Sequence, residues 1–161
     1  MNLSAWLTTR LVSFFVIQIL SIGVKVTLNL PVEQTQQAET RLVHLIFPGD
    51  TNHYHTLFGG KAMSWMDQAA FICATRWCRQ KVVTVHSDAI DFHNPVPEGS
   101  IVELVAKITA TGRSSMTVLV EMWVEPMDQP QRYLACQGSF VLVALDAQQS
   151  PVSVPKLEPV I

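Results

Sequence analysis

The chain has 161 residues, the size of a single domain, and it is poor in charge. Charged residues make up 15% of the composition and hydrophobic residues 48%, and the net charge is -2. This balance excludes a strong nucleic-acid binder, which needs a surplus of basic side chains, and a disordered acidic or basic tail protein. The apolar excess predicts a generous core together with self-association or a membrane segment.

Residues 1–37 are predicted to be an apolar extension and linker, and residues 38–161 the folded domain. The uncharged run Leu11–Val24 is shorter than the roughly 18–20 residues that a bilayer-spanning helix needs. Three interpretations remain: the apolar region of a signal peptide cleaved after Gly23, a membrane anchor, or a dispensable extension from an upstream start codon. We favour the last, so membrane contact through residues 11–24 is possible but not favoured, and a cytoplasmic location is expected.

The rest of the chain predicts one strand, one long helix and four further strands, in that order. A strand over 41–47 ends at a Pro-Gly turn, and a polar loop leads to a helix over 60–78. Apolar residues lie on almost every side of this helix, which predicts a helix buried within a sheet. The later strands are predicted over 82–92, 101–110, 116–124 and 132–145. Consecutive antiparallel strands predict a meander with the helix lying across it, an α+β arrangement.

Asp67 is the only acidic residue of the predicted helix and the first candidate for chemistry. Met63 and Phe71 lie one turn away on either side, and an ionised aspartate is costly in such an apolar setting. We interpret it as a carboxylate in a cleft that acts as general base or nucleophile. The alternative is an aspartate on a solvent-exposed stripe.

Gly59 and Gly60 open the predicted helix, where backbone N–H groups are unpaired and carry partial positive charge. Without Cβ atoms, these positions let a substrate carbonyl approach and be polarised. Such glycine pairs more often only make turns, but the aspartate two helical turns later makes this one more specific. Asn52, in the preceding loop, either holds a water or carbonyl or forms a local turn.

The histidines and cysteines indicate neither a metal site nor a disulfide. His53 and His55 form an H-x-H pair that lacks further ligands at suitable spacing, so no metal is predicted. The three cysteines fit no zinc or redox pattern and are interpreted as small apolar residues in a reducing compartment, at positions Cys73, Cys78 and Cys136.

The segment Gly112-Arg113-Ser114-Ser115 offers N–H groups, two hydroxyls and a guanidinium in a tight turn. It suits either a phosphate-binding turn or a plain hairpin turn.

These motifs together resemble the hotdog-fold acyl-CoA thioesterases, of the bacterial YciA type and the cytosolic acyl-CoA hydrolase type. The resemblance covers 41–159 and rests on the Asn, the Phe-Gly-Gly, the Met-Asp, the Phe-x-x-Pro-Val and the Gly-Arg-Ser-Ser motifs. It implies a hotdog fold, in which a long central helix is wrapped by a curled antiparallel sheet. It also implies double-hotdog dimers assembled into tetramers or hexamers, with active sites at the dimer interface.

The resemblance further implies hydrolysis of acyl-CoA to a free acid and coenzyme A, without metal or cofactor. By that carry-over Asp67 is the general base or nucleophile, Asn52 of the facing subunit positions the water or thioester, and the Gly60 N–H polarises the carbonyl. Gly59 would contact substrate, and the turn 112–115 would help to hold coenzyme A.

Two positions depart from the family pattern, and two other functions stay open. His55 stands where the family very often has glycine, and His93 where arginine is frequent. The alternatives are a hotdog dehydratase or hydratase, which typically needs a helix histidine that is lacking here, and a non-catalytic acyl-CoA-binding regulator. Pocket depth is expected to depend on four large side chains: Trp65, Phe71, Met116 and Met122.

Overall fold

A computed structural model describes residues 37–157, so the interpretations of the N-terminal run lie outside the described residues. Every predicted element is present within two residues of its expected bounds. The elements are β1 (Glu39–Leu45), α1 (Gly59–Cys78), β2 (Lys81–Phe92), β3 (Ile101–Thr111), β4 (Ser115–Glu125) and β5 (Tyr133–Leu145). The strands form one five-stranded antiparallel sheet against which α1 packs, which confirms the α+β class.

The order of strands in the sheet is β1-β3-β4-β5-β2, so the predicted meander is wrong for β2. Only β3, β4 and β5 follow one another as neighbours, whereas β2 pairs with β5 at the edge of the sheet farthest from β1. The loop 93–100 therefore carries the chain past β5 and β4, across three strand spacings or roughly 14 Å. Eight residues can span more than 20 Å when extended, so this crossover is easily made.

Helix α1 packs one face against the sheet and leaves the opposite face uncovered, so the prediction of all-round burial is wrong. The buried residues recur at helical spacing: Ala62, Trp65, Met66, Ala69, Ala70, Cys73, Ala74 and Cys78. Met63 and Phe71 are more than two-fifths exposed. Within residues 37–157 there is no helix with the length and apolarity that a bilayer crossing requires.

Strand β2 is a long edge strand with an open side. Eleven of its 12 residues are half-buried or exposed, including Val83, Val85 and Phe92. Its pairing with β5 is interrupted by two irregularities, one between Thr84 and His86 and one between Ser87 and Ile90. An edge of this length with apolar side chains is a ready surface for pairing with another strand.

The segment 151–157 runs back over the sheet end as a strap. Val152 N–H donates to Ala144 O at 2.9 Å, and Val154 N–H donates to Arg113 O at 3.0 Å. Val154 is buried, and the indole of Trp77 donates to Pro155 O at 3.1 Å. The strap thereby ties the turn between β3 and β4 to the end of α1.

Candidate active site

Asp67 lies midway along α1 and faces the edge strand β2. It is half-buried, and its Oδ1 accepts a hydrogen bond of 2.8 Å from Oγ1 of Thr84 in β2. The hydroxyl fixes the direction of the carboxylate and leaves the second oxygen free to accept a proton. The prediction was a partly desolvated carboxylate in a cleft, and within the described chain Asp67 stands at the border of solvent.

Asn52 organises the loop that leads into α1. Its Oδ1 accepts hydrogen bonds from Tyr54 N–H at 2.9 Å and from Thr56 N–H and Oγ1 at 3.4 and 3.2 Å. This local-turn role was one of its two interpretations, and it leaves the amide Nδ2 free as a donor. His55 adopts a left-handed φ of 57°, so this loop accommodates the histidine that replaces the usual glycine.

The N-terminus of α1 presents two unpaired N–H groups. The helix begins without a side-chain cap, and its first intrahelical bonds are made by Lys61 and Ala62 to Phe58 O. The N–H groups of Gly59 and Gly60 therefore have no backbone acceptor among the described residues. A Cβ on Gly60 would lie 3.0 Å from the Phe58 ring, so glycine keeps this N–H accessible.

Gly60 and Asp67 share one side of the helix. Seven residues correspond to about 10 Å along the axis and bring the two positions within about 20° of each other around it. At this separation the N–H groups and the carboxylate of one chain are too far apart to act on a single thioester group.

An apolar cavity of about 240 Å³ lies beside the first turn of α1. Its walls are Leu57, Ala62 and the segment 92–96, and Met122 and Cys136 form part of its lining. Phe92 also approaches Gly59, since a Cβ on that glycine would lie 3.8 Å from the ring. Of the four side chains expected to set pocket depth, only Met122 lines this cavity; Met116 is in the core and Phe71 is exposed.

Sulfur atoms meet beneath this cavity. The Cys136 Sγ lies 3.5 Å from Met66 Sδ and 3.7 Å from Met122 Sδ. Burial raises the pKa of Cys136 to about 11, and burial likewise raises the pKa of Cys73. All three cysteines are free and buried, so they are thiols that pack rather than nucleophiles.

His44 and Trp65 join β1 to the first turns of α1. Their rings are stacked, with centroids 4.3 Å apart and planes 3° from parallel. Burial lowers the pKa of His44, and its Nε2 is buried without a hydrogen-bond partner. Lys61 lies 5.5 Å above the Trp65 ring and pairs with Asp50 at 3.1 Å. This packing holds the helix N-terminus in place with a neutral imidazole.

The turn 112–115 lies apart from the other candidates. Gly112 N–H donates to Ser115 O at 2.8 Å, and a Cβ on Gly112 would lie 2.6 Å from the Ser115 Oγ. Arg113 is exposed, and Ser114 O accepts from Ala144 N–H at 2.9 Å. His93 lines the cavity instead, with its N–H bonded to Ala135 O at 2.8 Å.

The fold thus brings together some of the predicted residues and adds one that the sequence did not single out. Asn52, Gly59 and Gly60 surround the helix N-terminus, and Asp67 lies farther along the same helix. Thr84 was missed because one threonine in a β-branched strand carries no signal until its partner is known. Among residues 37–157 no cluster of three histidine, cysteine or acidic side chains is placed to hold a metal ion.

Comparison with known proteins gives consistent matches. The sequence profile of the thioesterase superfamily matches residues 54–131. The Bacillus subtilis protein named uncharacterized acyl-CoA thioester hydrolase YkhA is 42% identical, over 71% of this chain and 66% of that protein. The acyl-CoA thioester hydrolase YciA of Salmonella typhimurium is 35% identical, over 76% and 95% of the two chains. The mouse cytosolic acyl coenzyme A thioester hydrolase is 31% identical, but the match spans only 36% of its length.

Two solved structures share this arrangement of sheet and helix. The acyl-CoA hydrolase of Staphylococcus aureus in complex with butyryl coenzyme A is 34% identical with a TM-score of 0.74, over 81% of this chain and 80% of that one. A hexameric thioesterase from Yersinia pestis is 38% identical with a TM-score of 0.67, over 71% and 93%. Structures of the S. aureus protein with an asparagine, an aspartate or a threonine replaced by alanine match equally well. The chain therefore belongs to the thioesterase superfamily and has the hotdog fold of the acyl-CoA thioester hydrolases.

Proposed function

We propose that this chain hydrolyses acyl-CoA thioesters to a carboxylic acid and free coenzyme A. The observation that carries the proposal is the hydrogen bond between Asp67 and Thr84 at the open edge of β2. It supplies an oriented carboxylate, and the first turn of the same helix supplies two unpaired N–H groups beside an apolar cavity. These are the base, the carbonyl polariser and the acyl-chain site that hydrolysis of a thioester needs.

The residue spacing supports this assignment. In the S. aureus hydrolase, the asparagine, aspartate and threonine chosen for replacement are separated by 15 and 17 positions. Asn52, Asp67 and Thr84 have the same two separations in this chain. The aspartate and threonine of this contact thus have counterparts at the same spacing in the S. aureus hydrolase, whose structure includes butyryl coenzyme A.

The open edge of β2 supports a dimer in which two copies of this strand pair about a two-fold axis. With the axis at Asp88, Thr84 of one copy comes opposite Phe92 of the other. Because Phe92 packs beside Gly59, Asp67 of one copy then approaches the helix N-terminus of the second. The proposed active site is therefore shared, with Asn52 and Gly60 from one copy and Asp67 from the other. The hexameric Y. pestis thioesterase supports further assembly into a tetramer or hexamer.

The proposed reaction needs water as the only co-reactant. Asp67 takes a proton from a water positioned by Asn52, and the hydroxide oxygen bonds to the thioester carbonyl carbon. The Gly60 N–H stabilises the resulting oxyanion, with Gly59 beside it. Collapse breaks the carbon–sulfur bond, and the thiolate of coenzyme A takes the proton back from Asp67. Direct attack by the Asp67 carboxylate, followed by hydrolysis of the anhydride, is the variant of the same scheme. Coenzyme A is part of substrate and product, and no metal or cofactor takes part.

The name of the mouse relative supports a cytoplasmic location for this chain, which stays part of the proposal.

The test is thiol release from a panel of acyl-CoA substrates by the wild-type chain, Asp67→Ala and Thr84→Val. We expect Asp67→Ala to lower kcat by about 10²–10⁴-fold, the usual size of a general-base contribution. Thr84→Val removes only the orienting hydrogen bond and is expected to cost about tenfold in kcat, since such bonds are worth about 1–2 kcal/mol. Gln68→Ala, on the exposed side one position away, is the matched control.

Three outcomes would contradict the proposal. Near-wild-type hydrolysis by folded Asp67→Ala would show that Asp67 is not the general base. A change in enoyl absorbance without thiol release indicates a dehydratase or hydratase. Binding of acyl-CoA without turnover by the wild-type chain indicates a non-catalytic regulator.

A further inference from the structure

A groove separates the turn 112–115 from the C-terminal strap. It is lined on one side by Thr111, Gly112 and Arg113 and on the other by Ser153 and Lys156. The side chains of Arg113 and Lys156 are both exposed, and neither is paired with a carboxylate among residues 37–157. Two of the 11 basic residues of a net negative chain thus face one groove without a counter-charge.

Both walls of this groove are held rigidly. Val154 N–H donates to Arg113 O at 3.0 Å, and Leu157 N–H donates to Thr111 Oγ1 at 3.0 Å. These two bonds bracket Lys156 within the strap and fix its backbone against the turn. A site whose backbone is already ordered loses less entropy when a ligand binds.

The position of the groove suits the far end of a long substrate. Thr111 pairs with Met116, Met116 with Leu142, and Leu142 with Thr84, so the groove and the Asp67–Thr84 pair share one row of the sheet. Three strand spacings separate them, roughly 14 Å. A pantetheine arm, which joins a thioester to the phosphates of coenzyme A, covers such a distance.

We propose that Lys156 of the strap acts with Arg113 to bind phosphate groups at the nucleotide end of coenzyme A. This inference rests on the proposed function and adds a residue that belongs to none of the sequence motifs. Arg113 offers a planar fork that binds phosphate through two hydrogen bonds, and Lys156 a mobile point charge. The strap would therefore be part of the substrate site as well as a structural tie.

The test compares a substrate that carries the phosphates with one that lacks them. Steady-state kinetics are measured for wild-type protein and Lys156→Ala on butyryl-CoA and on S-butyryl-pantetheine. We expect Lys156→Ala to raise KM for butyryl-CoA about threefold to tenfold, as loss of one exposed charged contact does, with kcat within twofold. KM for S-butyryl-pantetheine should not change. Lys156→Arg should restore most of the affinity for butyryl-CoA.

Lys107→Ala is the matched control, because it removes the same charge from an exposed site on β3. An unchanged KM for butyryl-CoA in Lys156→Ala would overturn the proposal. An equal rise in KM for both substrates, or for Lys107→Ala, would also overturn it, since the effect would then be structural or a matter of net charge.

If the wild-type chain released no thiol from either substrate, the proposed function would fail separately. Calorimetric titration with coenzyme A would then decide the inference: weaker binding by Lys156→Ala than by Lys107→Ala supports it, and equal binding refutes it.

Discussion

The proposed shared active site makes a quantitative prediction for mixed assemblies. We consider two variants, Asn52→Ala and Asp67→Ala, each of which removes one of the proposed catalytic groups from every site of its own homodimer. Asp67→Ala loses the base, and Asn52→Ala loses both the free amide and the three hydrogen bonds that order its loop. Each homodimer is therefore expected to be nearly inactive, at about one hundredth of wild-type activity or less.

Mixing the two variants restores activity only if Asn52 and Asp67 act from different copies. A dimer of one Asn52→Ala chain and one Asp67→Ala chain then has one site with both defects and one site with none. Random pairing makes about half of all dimers mixed, and each of these has one intact site of two. The expected activity is about a quarter of the wild-type value per chain.

The assay is thiol release by chains that are co-expressed with different affinity tags and purified through both tags. The doubly purified protein should have about half the wild-type activity if it is a free dimer, and about a quarter if dimers assemble further at random. Each variant expressed alone should stay nearly inactive. A mixture of the finished homodimers, tested before subunits exchange, is the control. Mixed dimers with no more activity than the two parents would show that Asn52 and Asp67 serve the same site from one chain, and the β2 pairing would be refuted.

Two further predictions concern the cavity and the packing beside it. Ala62→Leu places a larger side chain in the cavity wall, and we expect turnover of octanoyl-CoA to fall about tenfold with acetyl-CoA changed less than twofold; equal effects on both would show that the acyl chain lies elsewhere. Burial lowers the pKa of His44 in the folded chain from its usual 6.5, so as the pH falls the unfolded chain takes up this proton before the folded chain does. The contribution of the neutral imidazole to the free energy of unfolding is therefore complete above about pH 6.5 and is lost as the pH falls through the lowered pKa. Tm measured between pH 7.5 and 5 should therefore fall more steeply for the wild type than for His44→Phe, and parallel curves would contradict this assignment.

The local elements could be predicted because their signals are local. The uninterrupted run without proline placed α1 within one residue of its observed start, and strict alternation placed β3 and β4. Strand order could not be predicted in this way, because the choice of partner depends on packing between residues far apart in sequence. The burial of α1 was overestimated for a similar reason. Apolar residues such as Met63 and Phe71 indicate that a surface is to be buried, but they do not indicate whether the same chain or a second copy buries it.

The site was predicted in part. Asp67, Asn52 and the two glycines followed from their types, their spacing and the family resemblance. Thr84 and the cavity wall 92–96 depend on β2 lying beside β5 at the edge, which brings the end of β2 to the first turn of α1. The strap beside Gly112 was likewise hidden, since a proline-rich tail indicates an extended segment but not where it docks.

The sulfur atoms under the cavity bear on how finely this protein can select its substrates. Methionine has three rotatable bonds and a soft, polarisable sulfur, so it adapts to gaps of different shape at little cost. Met66 and Met122 meet at Cys136, and a thiol adds no branched shape that would hold either of them in one rotamer. These side chains can change rotamer when a longer acyl chain enters, so they do not set a fixed depth for the cavity. Acyl chains of increasing length should therefore meet a gradual decline in turnover, and a sharp cut-off would require a branched or aromatic side chain in place of one of these sulfurs.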